Sequence, residues 1–302
     1  GYPVLLKAAA GGGGKGMRLV HEPDQIRDAF LAASAEADAA FGDAGMYLEK
    51  AVIDAHHIEI QVMGDGLGGG LILGERECSI QRRHQKLIEE APSPFLSAAT
   101  RETMITAAHD AVEALKYAGA GTIEFLVGDD QSFYFMEMNT RLQVEHPVTE
   151  VVAGFDLVQA QLLVAGGEGL PQWSEAENRG HAIEFRINAE DPAHGFRPAP
   201  GRIDRFRPAL GPGIRVDTFM EDGASVPPFY DSMIAKLIVS APTRDATLAR
   251  AARALDEFEI VGIPTTLPLL REIVDEPRFR AGRYTTTYID EVGAELTTLG
   301  EA

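Results

Sequence analysis

Residues 121–139 read Gly-Thr-Ile-Glu-Phe-Leu-Val-Gly-Asp-Asp-Gln-Ser-Phe-Tyr-Phe-Met-Glu-Met-Asn. Two runs of apolar, β-branched and aromatic side chains, 121–127 and 132–138, flank Gly128-Asp129-Asp130-Gln131, residues that tolerate the backbone of a tight reversal. The spacing predicts a β-hairpin, and with it an antiparallel sheet. Closed symmetrically about Asp130 and Gln131, the hairpin sets Glu124 directly across from Glu137. Like charges so placed repel unless something positive lies between them. A divalent cation answers the repulsion. Mg²⁺, or Mn²⁺ in its place, takes carboxylate and amide oxygens, so Glu124, Glu137 and Asn139 form a candidate metal site. A bulge in the hairpin would break this register.

Continued as extended backbone, residues 137–145 send Glu137, Asn139, Arg141, Gln143 and Glu145 to one face and turn Leu142 and Val144 to the core. The solvent face of a half-buried strand reads the same way, and alternation alone does not choose. Working outward, the pattern predicts strands at 3–7, 46–52 and 71–74 and helices at 23–40 and 97–118. Residues 57–63 alternate, with Ile58, Ile60 and Val62 set against His57, Glu59 and Gln61. Beyond the hairpin, helices are expected at 148–166 and 243–258, with strands at 181–189, 202–207 and 235–240. The class is α+β: a small lid over 1–50 and a larger body over 51–290, with no internal repeat.

The 302 residues, 45% hydrophobic and 24% charged, make one or two ordinary globular domains. A net charge of -19 argues against a nucleic-acid surface or an anionic membrane, both of which are held by basic patches. An anionic substrate then needs clustered Lys and Arg, or a bound metal, to reverse the local field. The single cysteine, Cys78, forms no internal disulfide and reads as a core residue in a reducing, cytoplasmic compartment. No apolar run reaches the ~18 residues of a membrane span, and no signal pattern opens the chain, which reads as a piece of something longer.

Gly11-Gly12-Gly13-Gly14-Lys15-Gly16 formally fits G-x-G-x-x-G, but a dinucleotide fingerprint opens a helix, and here the strand-like Met17-Arg18-Leu19-Val20 follows. A Walker loop fails because Gly16 stands where Ser or Thr belongs. A protein-kinase loop fails because Lys7 precedes the glycines. What remains is a backbone-rich loop between strands, either a mobile surface loop or one that folds onto phosphates with Lys7 and Lys15 adding charge. The basic run Gln81-Arg82-Arg83-His84-Gln85-Lys86 reads alone as a solvated turn. His57 alone is more often structural than a ligand contact. Arg186, after Ile183-Glu184-Phe185, is either a surface residue or an anion clamp.

Taken together and in order, Lys7 through Arg18, Glu75-Arg76-Glu77-Cys78-Ser79-Ile80-Gln81-Arg82-Arg83-His84-Gln85-Lys86, Glu137 through Pro147, and Arg186 through Asp191 resemble the biotin carboxylase family over nearly the whole chain. Tyr230-Asp231-Ser232-Met233-Ile234-Ala235-Lys236-Leu237 is also typical of it. The resemblance implies an ATP-grasp fold, a glycine-loop lid plus an antiparallel-sheet body, followed by a biotin carboxylase C-terminal domain. Its divisions would be 1–50 (partial lid), 51–166 (body with metal and nucleotide site), 180–290 (C-terminal domain) and 291–302 (tail or linker). The implied activity is that of an ATP-dependent ligase forming a C–N bond. It carboxylates biotin on a carrier through carboxyphosphate, the first half-reaction of an acyl-CoA carboxylase. Lys15 after four glycines looks more like acetyl-, propionyl- and methylcrotonyl-CoA carboxylase α subunits than pyruvate carboxylase, which stays an alternative. A non-catalytic nucleotide-binding fragment is the other. A ligase acting on an amino acid is disfavoured by the Arg141 to Glu145 and Arg186 motifs.

Carried over residue by residue, the resemblance implies that Lys7, Gly13 and Gly14 hold ATP phosphates and that Glu49, Lys50, Ala51 and Val52 line the adenine pocket. His57, Gln81 and His84 reach ribose and phosphates, and Leu126 packs on the base. Glu124, Glu137 and Asn139 hold the metal. Lys86, Arg141, Gln143 and Val144 hold bicarbonate, Glu145 is its general base, and Arg186 serves biotin; Arg141, Glu145, Lys86 and Arg186 are the catalytic set. The implied cofactors are ATP, Mg²⁺ or Mn²⁺, and biotin on a carrier. The implied partners are a biotin carboxyl carrier domain, a carboxyltransferase and a second copy of the chain. The family places a nucleotide-binding-type domain ahead of the lid, and without it the chain is expected to lack turnover. No Met-Lys-Met attachment motif occurs, so the biotin is expected elsewhere. The final carboxyl acceptor is not written in these residues.

Overall fold

The computed structural model describes residues 1–10, 15–173, 179–293 and 296, and it divides into two compact units. The first comprises residues 1–54 with 82–85; the second comprises 55–81 with the chain from 86 onward. Gly13 and Gly14, and most of the predicted tail at 291–302, lie outside the described residues.

In the first unit, β1 (Val4–Ala8) lies between β2 (Arg18–Val20) and β3 (Met46–Lys50), all antiparallel. Helix α1 (Ile26–Phe41) follows a 3-10 turn at Pro23–Gln25, whose Gln25 and Glu22 form a capping box. The helix stops at Gly42, which takes the left-handed conformation at φ 70. Ala33 and Ala37 are its buried residues, small enough to let the helix close on the strands.

The second unit is built on one sheet. Its first strands are β4 (His56–Asp65), β5 (Gly70–Arg82), β6 (Gln85–Ala91), β7 (Ala118–Val127), β8 (Phe133–Asn139) and β9 (His181–Asn188). Short pieces β10 (Glu190–Asp191), β11 (Arg197–Pro198), β12 (Gly201–Arg202) and β13 (Arg205–Arg207) come next. They are followed by β14 (Ile214–Thr218), β15 (Ser225–Val226), β16 (Met233–Ala241) and β17 (Glu259–Val261). The eight-stranded order is β14-β16-β9-β6-β5-β4-β7-β8. The expected strand at 202–207 is split, because β12 pairs with β15 and β13 with β17.

Helix α2 (Ala98–Leu115), capped by Ser97, covers one face of the sheet, packing Met104, Ala108 and Val112 onto Ile58, Ile60, Val62, Ile123 and Phe125. The opposite face is covered by α3 (His146–Ala153), over Ala91, Ala182 and Ile238. The single helix expected at 148–166 is therefore two. Gly154 ends α3 in the left-handed conformation, and Asp156 caps the start of α4 (Leu157–Ala165). A second core joins β9 and β16 to α5 (Arg244–Glu257) and α6 (Leu267–Asp275). Two short helices, α7 (Pro277–Arg280) and α8 (Tyr288–Val292), complete this part. Because both sheet faces are covered, β4 is buried along nearly its whole length, His57, Glu59 and Gln61 included. Its alternation sorts apolar from polar residues, not core from solvent. Among the described residues no single helix is long and apolar enough to cross a membrane.

Candidate active site

The polar face of the sheet under α3 gathers the candidate residues. Glu59 on β4 pairs with Glu124 on β7, and Glu124 with Glu137 on β8, so three acids stand in a row. The hairpin register predicted for Glu124 and Glu137 occurs, though by another route. Near the turn the pairs run Val127–Phe133 to Phe125–Phe135, centred on Asp130, and one extra residue in β8 then restores Glu124 to Glu137.

Each like-charged pair has a donor between its members. Lys86 Nζ donates to Glu59 Oε2 at 2.6 Å and Glu124 Oε1 at 3.2 Å. Asn139 Nδ2 donates to Glu124 Oε1 at 3.0 Å and Glu137 Oε1 at 3.3 Å. Lys86 sends its third proton to Glu145 Oε1 at 2.5 Å. Arg186 donates from NH2 to Glu145 Oε2 at 3.0 Å and from Nε to Glu89 Oε1 at 2.6 Å. Both oxygens of Glu145 are thus held by cations.

Below this layer lies Arg76, with no exposed surface. Its five N–H donors all find acceptors: Glu59 Oε1 at 2.5 Å, Gln61 Oε1 at 2.6 Å, Thr149 Oγ1 at 2.8 Å, Thr122 Oγ1 at 3.2 Å and Gln143 Oε1 at 3.3 Å. Gln143 Nε2 in turn donates to Glu124 Oε1 at 2.8 Å, and His57 Nε2 donates to Glu124 Oε2 at 3.0 Å.

The extended run expected through 145 ends at Asn139, and residues 140–145 turn toward α3. Burial there is the reverse of expectation: Gln143 and Glu145 are buried, while Leu142 and Val144 are half-buried. The buried acids and Arg76 supply the reason. A buried polar group left unpaired costs about 1–3 kcal/mol, so amide and carboxylate turn inward to complete the network. The Val144 carbonyl accepts from Lys236 Nζ at 2.8 Å. Arg141 is exposed, and its NH2 donates to Asn139 Oδ1 at 3.2 Å.

Electrostatics keep these groups ionised despite burial. Burial pushes the Glu124 carboxyl up, but His57, Lys86 and Gln143 outweigh it and hold it well below the usual carboxylate range. Glu59 falls to about 2 because Arg76 and Lys86 overcome its burial. For Glu145, burial and Glu59 push up, and Lys86, Arg186 and Arg76 bring the net direction down. Burial opposes the Lys86 charge, yet the surrounding carboxylates raise its pKa well above the ordinary lysine value. Cys78 is buried beside this cluster, and burial pushes its thiol up.

The remaining candidates fall elsewhere. Gln81 is buried near the end of β5, and Leu126 on β7 is the half-buried register partner of His57. His84 sits in a two-residue turn with Arg83, at φ 64 and 49, the left-handed pair that a tight hairpin needs. In the first unit Lys7 Nζ lies 2.9 Å from Glu49 Oε2, so the two form an ion pair. Lys50 is exposed; Ala51 and Val52 are half-buried. Sequence reasoning passed over Glu59, Arg76 and Glu89. The available signal was charge inside apolar strands, Glu59 in 57–63 and Arg76 in the Glu-Arg-Glu run, which implies buried partners.

The donor set fits a hard cation. Glu124 Oε1 and Glu137 Oε1 converge on the Asn139 amide, and turning that amide over would present its oxygen beside two carboxylates.

The comparisons place this antiparallel sheet, with its buried cations among paired acids, in the ATP-grasp class. Residues 1–173 match the profile of the carbamoyl-phosphate synthase L chain ATP binding domain, and residues 184–291 match that of the biotin carboxylase C-terminal domain. The chain belongs to the biotin carboxylase family. It is 53% identical over 293 residues to a biotin carboxylase of Nostoc sp., covering 97% of this chain and 66% of that one. It is 48% identical to a propionyl-CoA carboxylase alpha chain of Ruegeria pomeroyi, covering 96% of this chain and 46% of that one. The biotin carboxylase domain of Hydrogenobacter thermophilus 2-oxoglutarate carboxylase, solved as a dimer with MgADP, ADP and bicarbonate, superposes with a TM-score of 0.93 at 46% identity. That match covers 97% of this chain and 65% of the other. The chain thus spans just under two thirds of its curated relative in Nostoc.

Proposed function

We propose that the protein containing this chain uses ATP and bicarbonate to carboxylate biotin presented on a carrier domain. The observation that carries the reading is Glu145, a buried carboxylate held ionised between Lys86 and Arg186, with Lys86 also donating to Glu124, which shares the Asn139 amide with Glu137. Glu145 is kept ready to accept a proton, and bicarbonate becomes an adequate nucleophile only when it gives one up. Lys86, Arg141, Gln143 and the Val144 backbone hold that anion, and Arg141, exposed at the edge of the site, offsets its charge. Arg186 stabilises the negative oxygen that develops on biotin when its ureido proton leaves.

Glu124, Glu137 and Asn139 would hold Mg²⁺ or Mn²⁺, which when bound polarises the phosphoryl oxygens of ATP. Lys7, Gly13 and Gly14 serve the phosphates, Glu49 to Val52 and Leu126 the adenine, and His57, Gln81 and His84 the ribose and phosphates. The division into lid (1–50), body (51–166) and C-terminal domain (180–290), a cytoplasmic location, a carboxyltransferase partner and a homodimer belong to the same proposal. The relatives' names and the match to a structure holding MgADP and bicarbonate support it.

The test is bicarbonate-dependent phosphate release from ATP by the full-length protein with Mg²⁺ and free biotin. Glu145→Gln is expected to lower kcat by about 10²- to 10⁴-fold, the usual contribution of a positioned base. Nucleotide binding with no phosphate release by the wild type, or turnover unchanged by both Glu145→Gln and Arg141→Ala, would refute the assignment.

A further inference from the structure

Arg186 owes its position to a carboxyl group that the reaction itself leaves unassigned. Glu89 on β6 accepts from Arg186 Nε at Oε1, and NH2 of the same guanidinium lies 2.5 Å from that oxygen as an ion pair. Glu89 is fully buried, and its other oxygen, Oε2, meets no donor among the described residues. Directly across the ladder stands Glu184 on β9, also fully buried, and neither of its oxygens meets a donor there. Register partners in an antiparallel pair carry their side chains on one face with Cβ atoms about 5 Å apart. The two carboxyl groups therefore face each other under α3, with three buried oxygens and no hydrogen to share unless one group carries it.

The charges around them say which. Lys86 on β6 is committed to Glu59, Glu124 and Glu145. Arg186 on β9 divides itself between Glu89 and Glu145. Lys236 on β16 faces the Val144 carbonyl and Asp217. On α3, Glu150 pairs with Arg215, and His146 bonds the Gln143 carbonyl. Arg76, Lys86 and Arg186 thus face the carboxyls of Glu59, Glu124, Glu145, Glu89 and Glu184, and Glu184 is the one with no cation in hydrogen-bond reach. Two carboxylates in such a place cannot both ionise.

We infer that Glu184 is a neutral carboxylic acid donating its O–H to Glu89 Oε2, and that this dyad positions Arg186 for its substrate. Burial and the neighbouring Glu89 charge both push the Glu184 carboxyl far up, in keeping with that geometry. With its proton in place, Glu89 keeps one full charge on Arg186; without it, two charges compete for one guanidinium and pull it into the sheet. Glu89 and Glu184 are positioning residues, since neither has an open path to substrate. The kinetic consequences rest on the function proposed above; the proton does not.

Infrared spectra of the full-length protein at neutral pH, wild type minus Glu184→Gln, are expected to show the C=O band of a protonated carboxyl, shifted in heavy water. No such band overturns the inference. In turnover, Glu184→Gln keeps a donor and is expected within about twofold of wild type. Glu184→Leu and Glu89→Gln are each expected to lower kcat on the order of tenfold or more, the usual effect of losing an outer partner, with KM for ATP unchanged. The wild type should also show an alkaline limb that Glu184→Gln, which has no proton to lose, lacks. A limb common to both overturns the inference. If Glu184→Leu fails to fold, the infrared difference and the two pH profiles decide alone. A wild type without turnover would sink the functional reading and leave the infrared band to judge the proton.

Discussion

Replacing Arg76 with Met removes a guanidinium that spends all five donors inside the sheet. Met keeps much of the volume, so the loss is polar. Three consequences can be weighed. Gln61 and Gln143 each lose the donor to their carbonyl oxygen, at roughly 1 kcal/mol apiece net. Thr122 and Thr149 lose little, because a hydroxyl can turn to another acceptor. Glu59, fully buried, keeps Lys86 but loses its closer cation, and breaking a buried pair from one side costs about 3–5 kcal/mol. The last effect dominates. Opening of β4 and β5 should become easier by that amount, which speeds amide exchange by about 10²- to 5 × 10³-fold in peptides covering 56–65 and 70–82 of the full-length protein. Peptides from α5 and α6, in the other core, should change little. A second substitution separates charge from packing. Glu59→Gln in the Arg76→Met background removes the stranded charge and should restore more than half of the lost protection, although Glu59→Gln alone is harmful. Exchange within tenfold of wild type in Arg76→Met, or two substitutions that simply add, would show that the buried charge is not what Arg76 serves.

Asn139→Ala and Glu124→Gln should each weaken binding of Mn²⁺ with ADP by about tenfold or more, read by calorimetry, because the first removes an amide oxygen and the second a negative charge from the proposed hard-cation set. Glu90 accepts from His181, Arg244 and Tyr284; burial pushes its carboxyl up, but the His181 and Arg244 hydrogen bonds bring it down from 4.5 to about 2. A depressed carboxyl adds stability that is present above its unfolded value and is lost as pH falls through the folded one. Glu90→Gln should therefore be less stable by about 3 kcal/mol at pH 7, and the gap to wild type should narrow as pH falls from 4.5 toward 2 in acid-unfolding curves. A gap constant with pH would exclude that linkage. A Cβ on Gly64 would stand 2.0 Å from the Tyr117 carbonyl oxygen, so Gly64→Ala must move backbone and should cost about 1–3 kcal/mol in urea unfolding.

Local pattern alone located the hairpin, most of the long strands and helices, and the acids' neighbourhood. Period-two alternation announced β4, an apolar and β-branched run announced β7, the Gly-Asp-Asp-Gln turn announced the hairpin, and the order of motifs announced the family. These depend on near neighbours in the chain, and alternation and turn chemistry report those directly. The broken helix after 153 was also legible in principle, since Gly154 and Asp156 are a stop and a cap side by side. Only the tertiary structure decided which polar residues are buried and what neutralises them. Glu59 meets Arg76 across one strand pair and Lys86 from another, Glu145 meets Arg186 across 41 positions, and Glu89 meets Glu184 across a ladder. The hairpin shows the limit most plainly. Its register came out as expected because a bulge that alternation cannot reveal offset a turn centred one half-step away. An acid on a strand looks the same in sequence whether it faces water or a guanidinium. Charge is priced by its three-dimensional surroundings, and those are assembled by parts of the chain that do not know one another until it folds.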